Sequence, residues 1–537
     1  MTSTSTSTSD GLVRRSSALA VATALSRATG FVRTSVWATA LGLYLVGSAF
    51  TVANTLPAIL FTLLAGGAIS AVFVPQLVRA TAESPEAGAA YADRLLTVTV
   101  VVLAPLTVLA VLAAPALARL YAGDGWTTQD LALAAAFTAW CVPQVLFHGL
   151  FAILSQVLHA RGRPGPMMWA PVANNVVSIA VGAAFLLVGG IETGAVPDAA
   201  ASVSAAEIAV LGGGATLGVI VQVVVLLPAL RAIGFRYRPR LDLRGSGLGR
   251  SARLAGWTLV FVAAGQVAFA VSARVANTAG KAAESGFSWA AGLPSYTNAY
   301  MIMLVPHAVV AVSLAAAQFP AMSRAAVDGR PAEVGASVER SLLLSARVLV
   351  PAAFATATLG PLVTGVVFFG NPPADTWYMG LVLAAFAPAI VLYSAQFLVA
   401  RGLYAVEDTR TPALIQLFMT VVQISGALLA GALLPPGWVV VGLALGFSLS
   451  YGFGLVMSVV AVRRRTGGLR SRVVVVGSLR PAMAALPAAI AAFAAMRLLA
   501  PHPASSDPKT TLVALAVSAT LFAAVHLALS RVEPRRR

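Results

Sequence analysis

Ser26-Arg27-Ala28-Thr29-Gly30-Phe31-Val32-Arg33 is the stretch on which the reading of this chain turns. It places two arginines within the first long apolar segment, roughly residues 16–46. The surrounding composition sets their solvent. Of 537 residues 58% are hydrophobic and only 10% charged, with a mean hydropathy of +0.86, whereas an ordinary soluble domain is roughly 25% charged. The chain is therefore an all-α polytopic membrane protein, and the two guanidiniums lie at bilayer depth. Each costs about 2.5–3.5 kcal/mol near the centre of a spanning helix. Ionisable groups kept at that cost face a bundle interior or a watery cavity, so these arginines are expected to hold something.

The formal charge of +17 does not point to nucleic acid. The basic residues sit in short linkers between apolar runs rather than on one face of a domain, which is the pattern of positive-inside topology. The single cysteine, Cys141, excludes an intramolecular disulfide and is read as a small buried apolar residue. Residues 1–13, rich in Ser and Thr, read as a disordered cytoplasmic tail. Arg14-Arg15 before an apolar run resembles a signal peptide, but Arg27 and Arg33 interrupt what would be its core, so a retained first helix is expected.

At about 20 apolar residues per span, fourteen segments emerge, near 16–46, 49–80, 95–119, 130–160, 166–190, 205–230, 252–279, 289–323, 341–369, 376–400, 412–434, 437–462, 474–500 and 511–531. The linker after the sixth holds Arg231, Arg236, Arg238, Arg240, Arg244, Arg250 and Arg253, and that after the twelfth holds Arg463, Arg464, Arg465, Arg470, Arg472 and Arg480. Both are expected in the cytoplasm. The linkers carrying Asp124, and Glu192 with Asp198, have neither Lys nor Arg and belong outside. Lys281 and Lys509 fall in outside linkers, a violation that the arginines outweigh. An even number of spans puts both termini in the cytoplasm.

The two halves repeat. Gln156-Val-Leu-His-Ala-Arg161-Gly162 matches Gln396-Phe-Leu-Val-Ala-Arg401-Gly402, an offset of 240 (161 to 401). Pro75-Gln-Leu-Val-Arg79-Ala80 matches Pro320-Ala-Met-Ser-Arg324-Ala325, an offset of 245 (75 to 320). Six segments intervene, so the repeat is parallel, about an axis along the membrane normal. The expected organisation is an N-lobe over 14–245, a C-lobe over 246–465, and two extra helices with a tail over 466–537. The offset carries Arg33 onto Arg274 in the seventh segment, so each half is expected to open with a helix presenting an arginine to a shared cleft, the alternative being that Arg274, about five residues from the outer end of its segment, snorkels to the interface.

The nineteen acids all fall in tails, linkers or within a turn of a segment end, so none is expected deep enough to pair with Arg27, Arg33 or Arg274. Unpaired cations of this kind point to an anionic ligand or a hydrated vestibule, and the planar guanidinium fork suits phosphate. Ser26, Asn54 and Asn298 are further candidate ligand groups. Gly30, Pro57, Gly66 and Gly67 are candidate hinges in helices lining a path, though the latter three fit close helix packing equally well. Asn174, Asn175, Gln266 and Asn298 fit interhelical hydrogen bonds as well as ligation. The five histidines show no metal spacing, no intramembrane carboxylate offers a base, and no Walker motif occurs. No catalytic residue, metal or cofactor is expected.

Several stretches together resemble one family. They are Ser26 to Arg33, Ala53-Asn54-Thr-Leu-Pro57, Gly66-Gly67-Ala-Ile-Ser-Ala-Val-Phe73-Val-Pro75, Ala160-Arg161-Gly162-Arg163, Ala170-Pro171-Val-Ala-Asn174-Asn175 and Tyr404-Ala-Val-Glu-Asp408-Thr-Arg410-Thr-Pro412. These are similar to the MurJ (MviN) lipid II flippases of the MOP exporter superfamily, over about Ser16 to the twelfth segment. The resemblance implies two six-helix lobes around a cationic cleft, two extra helices forming a groove for the lipid tail, and alternating access. The substrate it implies is the undecaprenyl-diphosphate-linked peptidoglycan precursor, moved from the inner to the outer leaflet. The family's two first-helix arginines map onto Arg27 and Arg33. Gram-negative members carry further acids and arginines where this chain has Thr34, Ser48, Phe61 and Met301, departures that resemble the actinobacterial branch and leave Arg274 as the candidate substitute. A flippase for another polyprenyl-diphosphate glycan, or a scaffold recruiting cell-wall synthesis and division proteins through residues 231–253 and 463–480, would share the same composition. Membrane lipids are expected contacts of those loops.

Overall fold

The computed structural model describes the backbone of residues 6–63, 80, 84–190, 199–240, 248–502 and 506–532, with side chains described only from residue 21 and not for 248–255. Among the described residues all regular structure is helical. Nineteen helices follow in order: α1 Thr6–Leu41, α2 Leu45–Phe61, α3 Pro85–Leu112, α4 Ala114–Tyr121, α5 Thr128–Cys141, α6 Gln144–Ala160, α7 Gly165–Leu187, α8 Ala199–Ser202, α9 Ala205–Val224, α10 Leu227–Ala232, α11 Leu248–Ala283, α12 Leu293–Val327, α13 Pro331–Val367, α14 Pro373–Ala385, α15 Ala387–Ala405, α16 Arg410–Leu433, α17 Pro436–Thr466, α18 Ser471–Leu499 and α19 Pro508–Val532.

Eleven of the described helical stretches are long and apolar enough to cross a membrane, and α14 with α15, bent by 42°, makes a twelfth. These correspond to the third through fourteenth apolar segments, so the expected fourteen is not reached among the described residues. The first two segments are α1, diluted by Ser, Thr and Arg, and α2, which is apolar but 17 residues long where it meets the undescribed 64–79. α1 begins at Thr6, inside the stretch expected to be an irregular tail, because helical hydrogen bonding continues outward from the apolar turns below it.

Local chemistry sets the ends. Ser84 caps α3 by accepting the Ala87 N–H at 3.0 Å, ten residues before the apolar run begins. Thr127 with Asp130 and Ser204 with Glu207 form reciprocal capping boxes at α5 and α9. Gly162 closes α6 with φ +70°. At the matching address in the second half the helix continues through Arg401-Gly402 to Ala405, and Glu407 takes the left-handed residue instead, with φ 58°.

The chain divides into two compact units, one of residues 1–42, 49–120 and 127–259, the other of residues 43–48, 121–126 and 260–537. In the first, α1 packs on α7 and α7 on α9. Val36 lies where Gly182 would carry a Cβ, at 2.8 Å, and Gly218 would meet Asn174 Oδ1 at 2.4 Å, so small residues admit these close approaches. In the second, α12 to α15 and α17 enclose a buried aromatic cluster that includes Tyr296, Tyr300, Phe386, Tyr393, Phe447 and Tyr451. The pair α18–α19 packs against α13 through Ala485, Ala488, Ala489, Ala492 and Ala514.

The repeat is visible in a shared irregularity. The fourth span is interrupted at Val142-Pro143 and the tenth at Phe386, ahead of Pro388. In the first unit the Trp140 carbonyl accepts Thr216 Oγ1 from α9 at 2.7 Å. In the second the Ala385 carbonyl, 245 positions on (140 to 385), accepts Ser448 Oγ from α17 at 3.4 Å. Each break is thus tied by a hydroxyl of the last span of its own half, which satisfies backbone that hydrocarbon would leave bare. The Pro75 copy of the other sequence match lies outside the described residues.

Candidate functional site

Ser26, Arg27, Gly30 and Arg33 stand on uninterrupted helix α1. Asn175 of α7 reaches across to this stretch, its Nδ2 donating to the Ser26 carbonyl and to Thr29 Oγ1, each at 3.0 Å. About three helical turns after Ser26, Trp37 Nε1 donates to the Ser178 carbonyl at 3.1 Å. Arg33 follows Ser26 by seven residues, within about 20° of two full turns, so it shares the α7-facing side and is half-buried. Arg27 lies about 120° away and is exposed. Among the described residues neither arginine has a hydrogen-bond or ion-pair partner.

Gly30 has ordinary helical φ, and a Cβ there would meet Asn175 Nδ2 at 3.6 Å, a normal contact. Pro57 is buried inside α2, whose helix continues through it. Gly66 and Gly67 lie outside the described residues. Asn54 is engaged: Gln144 Nε2, in the first turn of α6, donates to its Oδ1 at 3.4 Å and to Thr216 Oγ1 at 3.3 Å. Asn54 therefore belongs to the polar network around the break in the fourth span. In the second unit Asn298 is half-buried on α12 and has no hydrogen-bond partner among the described residues.

Arg274 departs from the expectation of an unpaired cation. Its Nη2 lies 2.6 Å from Asp124 Oδ1, both side chains largely solvent-accessible. Asp124 belongs to residues 121–126, which fold onto α11: its N–H donates to Thr278 Oγ1 at 2.8 Å, and Asn277 Nδ2 donates to the Tyr121 carbonyl at 2.7 Å. Gly123 makes the approach possible, since a Cβ there would sit 2.2 Å from the Thr278 nitrogen. Depth along a single segment could not reveal a carboxylate brought back by another segment's linker.

Other buried acids escaped the sequence reading for the same reason. Asp375, 1% exposed, accepts from Tyr44 OH at 3.1 Å and from the Ala290 N–H at 2.7 Å. Glu339 is gripped by Arg470 through two side-chain bonds of 2.7 and 3.2 Å and one backbone bond of 2.9 Å. Asn174 donates to Gln222 Oε1 at 2.8 Å, so the Asn174-Asn175 pair serves two helix interfaces. The only hint of this in the sequence was two adjacent amides in an apolar run. Among the described residues no group of His, Cys, Asp and Glu could hold a metal ion. The arrangement offers unpaired cationic donors suited to an anion.

A family model described as "Lipid II flippase MurJ" matches residues 37–504, a span that begins after Arg33. A lipid II flippase MurJ of Burkholderia cenocepacia is 29% identical over 412 residues, 74% of each chain. A probable lipid II flippase MurJ of Rhizobium meliloti is 28% identical over 425 residues, covering 78% of this chain and 75% of its own. Among solved structures, a lipid II flippase MurJ in an inward closed conformation superposes with a TM-score of 0.71 at 17% identity, over 96% of this chain and 98% of that one. An inward-facing multidrug resistance MATE transporter of the MOP superfamily superposes at 0.63 and 14% identity, over 83% of this chain and 96% of that one. The likeness in fold thus extends to transporters of a second kind.

Proposed function

The chain belongs to the lipid II flippase MurJ family, and from that premise we propose that it carries lipid II across the membrane by alternating access, with Arg27 and Arg33 meeting the diphosphate. It is a transporter rather than a member of an enzyme class. The observation that carries the residue assignment is the pair of guanidiniums on α1 that have no protein counter-charge among the described residues. A diphosphate supplies what they lack, because its oxygens accept the bidentate, charge-assisted bonds of a planar fork. Asn175 holds their helix on α7, which fixes the height and rotation at which both forks are offered. In the second unit, taken by itself, Arg274 can exchange Asp124 for an anionic group, which a solvent-exposed pair of low worth allows.

The arginine-rich linkers put both termini and the loops after the sixth and twelfth spans in the cytoplasm. An inside-negative potential then favours the outward passage of the anion by about 2.3 kcal/mol per charge per 100 mV. The test is outer-leaflet exposure of lipid II in cells depleted of this protein and supplied with wild type, Arg27→Ala or Arg33→Ala. Loss of exposure with the variants at normal protein level is expected. Full rescue by both would refute the assignment.

A further inference from the structure

The first unit carries a groove that lipid II flipping leaves without a role. Its volume is about 640 Å³, and its walls are Leu96 and Val100 of α3, Leu150 and Leu154 of α6, and Leu227 and Leu230 of α10. Arg231, Arg236 and Tyr237 complete it at the end of the span. The segment bearing these three is fastened in place. Gly234 turns the chain with φ +74°, and the Arg238 N–H donates to Asp93 Oδ1 at 3.2 Å. The Arg240 N–H donates to Thr97 Oγ1 at 3.0 Å, and Tyr237 OH lies 2.9 Å from the same hydroxyl. Arg231 and Arg236 remain exposed, with no carboxylate or hydrogen-bond partner among the described residues.

We propose that this groove binds an anionic glycerophospholipid, one acyl chain lying along Leu96, Val100, Leu150 and Leu154 and the phosphate held by Arg231 and Arg236. Two observations select that occupant. The first is charge order: an apolar trough walled by about one turn of each of three helices ends in two guanidiniums that have no partner among the described residues, which is the order of groups along a phospholipid. The second is the internal repeat. The corresponding address in the second unit is a recess of about 590 Å³, with Leu342, Val391 and Ala395 on the walls, Arg463 at the end and Val474, Val475 and Leu479 of α18 as a further wall. The same address is thus an apolar recess ending in arginine in both units, and among the described residues no counterpart of α18 walls it in the first.

The test uses the full chain in detergent, delipidated and titrated with phosphatidylglycerol, phosphatidylcholine or undecaprenyl phosphate, with bound lipid counted by native mass spectrometry. Wild type is expected to retain phosphatidylglycerol over phosphatidylcholine. Each arginine contributes about fivefold, so R231Q/R236Q weakens retention about thirtyfold. Val100→Trp, which fills the trough and leaves the arginines in place, is expected to displace the lipid as well. Because both arginines are exposed and unpaired, the double variant should fold as wild type does, which size-exclusion elution checks. Equal retention of phosphatidylcholine, an unchanged phosphatidylglycerol count in R231Q/R236Q, or preferential retention of undecaprenyl phosphate would each overturn the proposal. None of these outcomes depends on the flipping reaction.

Discussion

Asn174 and Asn175 are neighbours on α7 whose replacement should have opposite rank in stability and in transport. Asn175→Ala removes two hydrogen bonds to α1. Interhelical bonds in membranes average about 0.6 kcal/mol each, so the loss is about 1 kcal/mol. It stays small because Thr29 Oγ1 keeps its bond to the Leu25 carbonyl at 2.8 Å and no α1 acceptor is stranded. Asn174→Ala removes the 2.8 Å bond to Gln222 and leaves the buried Gln222 Oε1 without its donor. Such an orphan costs about 1–3 kcal/mol beyond the bond itself, for a total of about 2–4 kcal/mol. Unfolding midpoints in detergent should therefore fall further for Asn174→Ala. Transport should fall further for Asn175→Ala, because that side chain registers the arginine-bearing face of α1. Should Asn175→Ala retain full lipid II exposure while losing as much stability as Asn174→Ala, α1 would be anchored by packing alone and the positioning argument would fail.

Three more outcomes follow from the geometry. Arg33→Lys should retain part of the transport that Arg33→Gln loses, since an ammonium keeps the charge but not the bidentate fork, a difference of about tenfold measured as lipid II exposed per cell. Gly218→Ala, whose methyl would stand 2.4 Å from Asn174 Oδ1, should abolish monodisperse protein on size exclusion, whereas Gly30→Ala, with 3.6 Å of clearance, should not; a Gly30→Ala protein that folds but no longer flips would establish Gly30 as a hinge. Asp124→Asn should shift the unfolding midpoint little, because an exposed pair contributes about 0–1 kcal/mol, and it should leave transport intact or raise it if Arg274 serves the diphosphate; a fall in transport at normal stability would mean the pair itself is the functional unit.

The sequence exposes what depends on runs of residues and hides what depends on where runs meet. Twelve apolar segments became spans because hydrocarbon rewards about twenty consecutive apolar residues whatever their neighbours. For Arg27 and Arg33 the sequence shows that no acid stands near them on their own segment. Arg274 was misjudged for the converse reason: Asp124 lies 150 residues away in the chain and reaches it only because Gly123 lets a linker fold onto α11. Asn54 reads in the sequence as a ligand group, whereas in the structure Gln144 at the broken fourth span donates to its Oδ1. The parallel repeat was suggested by two short matches, yet its clearest trace is a pair of helix breaks whose sequences, Val142-Pro143 and Phe386-Ala-Pro388, share little beyond a proline.

Those breaks also bear on biogenesis. α5 and α14, 14 and 13 residues long, reach only about 20 Å at 1.5 Å per residue, too short to cross about 30 Å of hydrocarbon alone. Each must enter the membrane joined to the helix after it. The hydroxyls that tie the breaks come from Thr216 and Ser448, 76 and 63 residues later in the chain. At about 5–20 residues per second of synthesis, each bent span therefore waits about 3–15 seconds for its tie. During that interval the Trp140 and Ala385 carbonyls need a substitute partner, which makes the emergence of the sixth and the twelfth span the two checkpoints at which a nascent half of this protein becomes committed to its final shape.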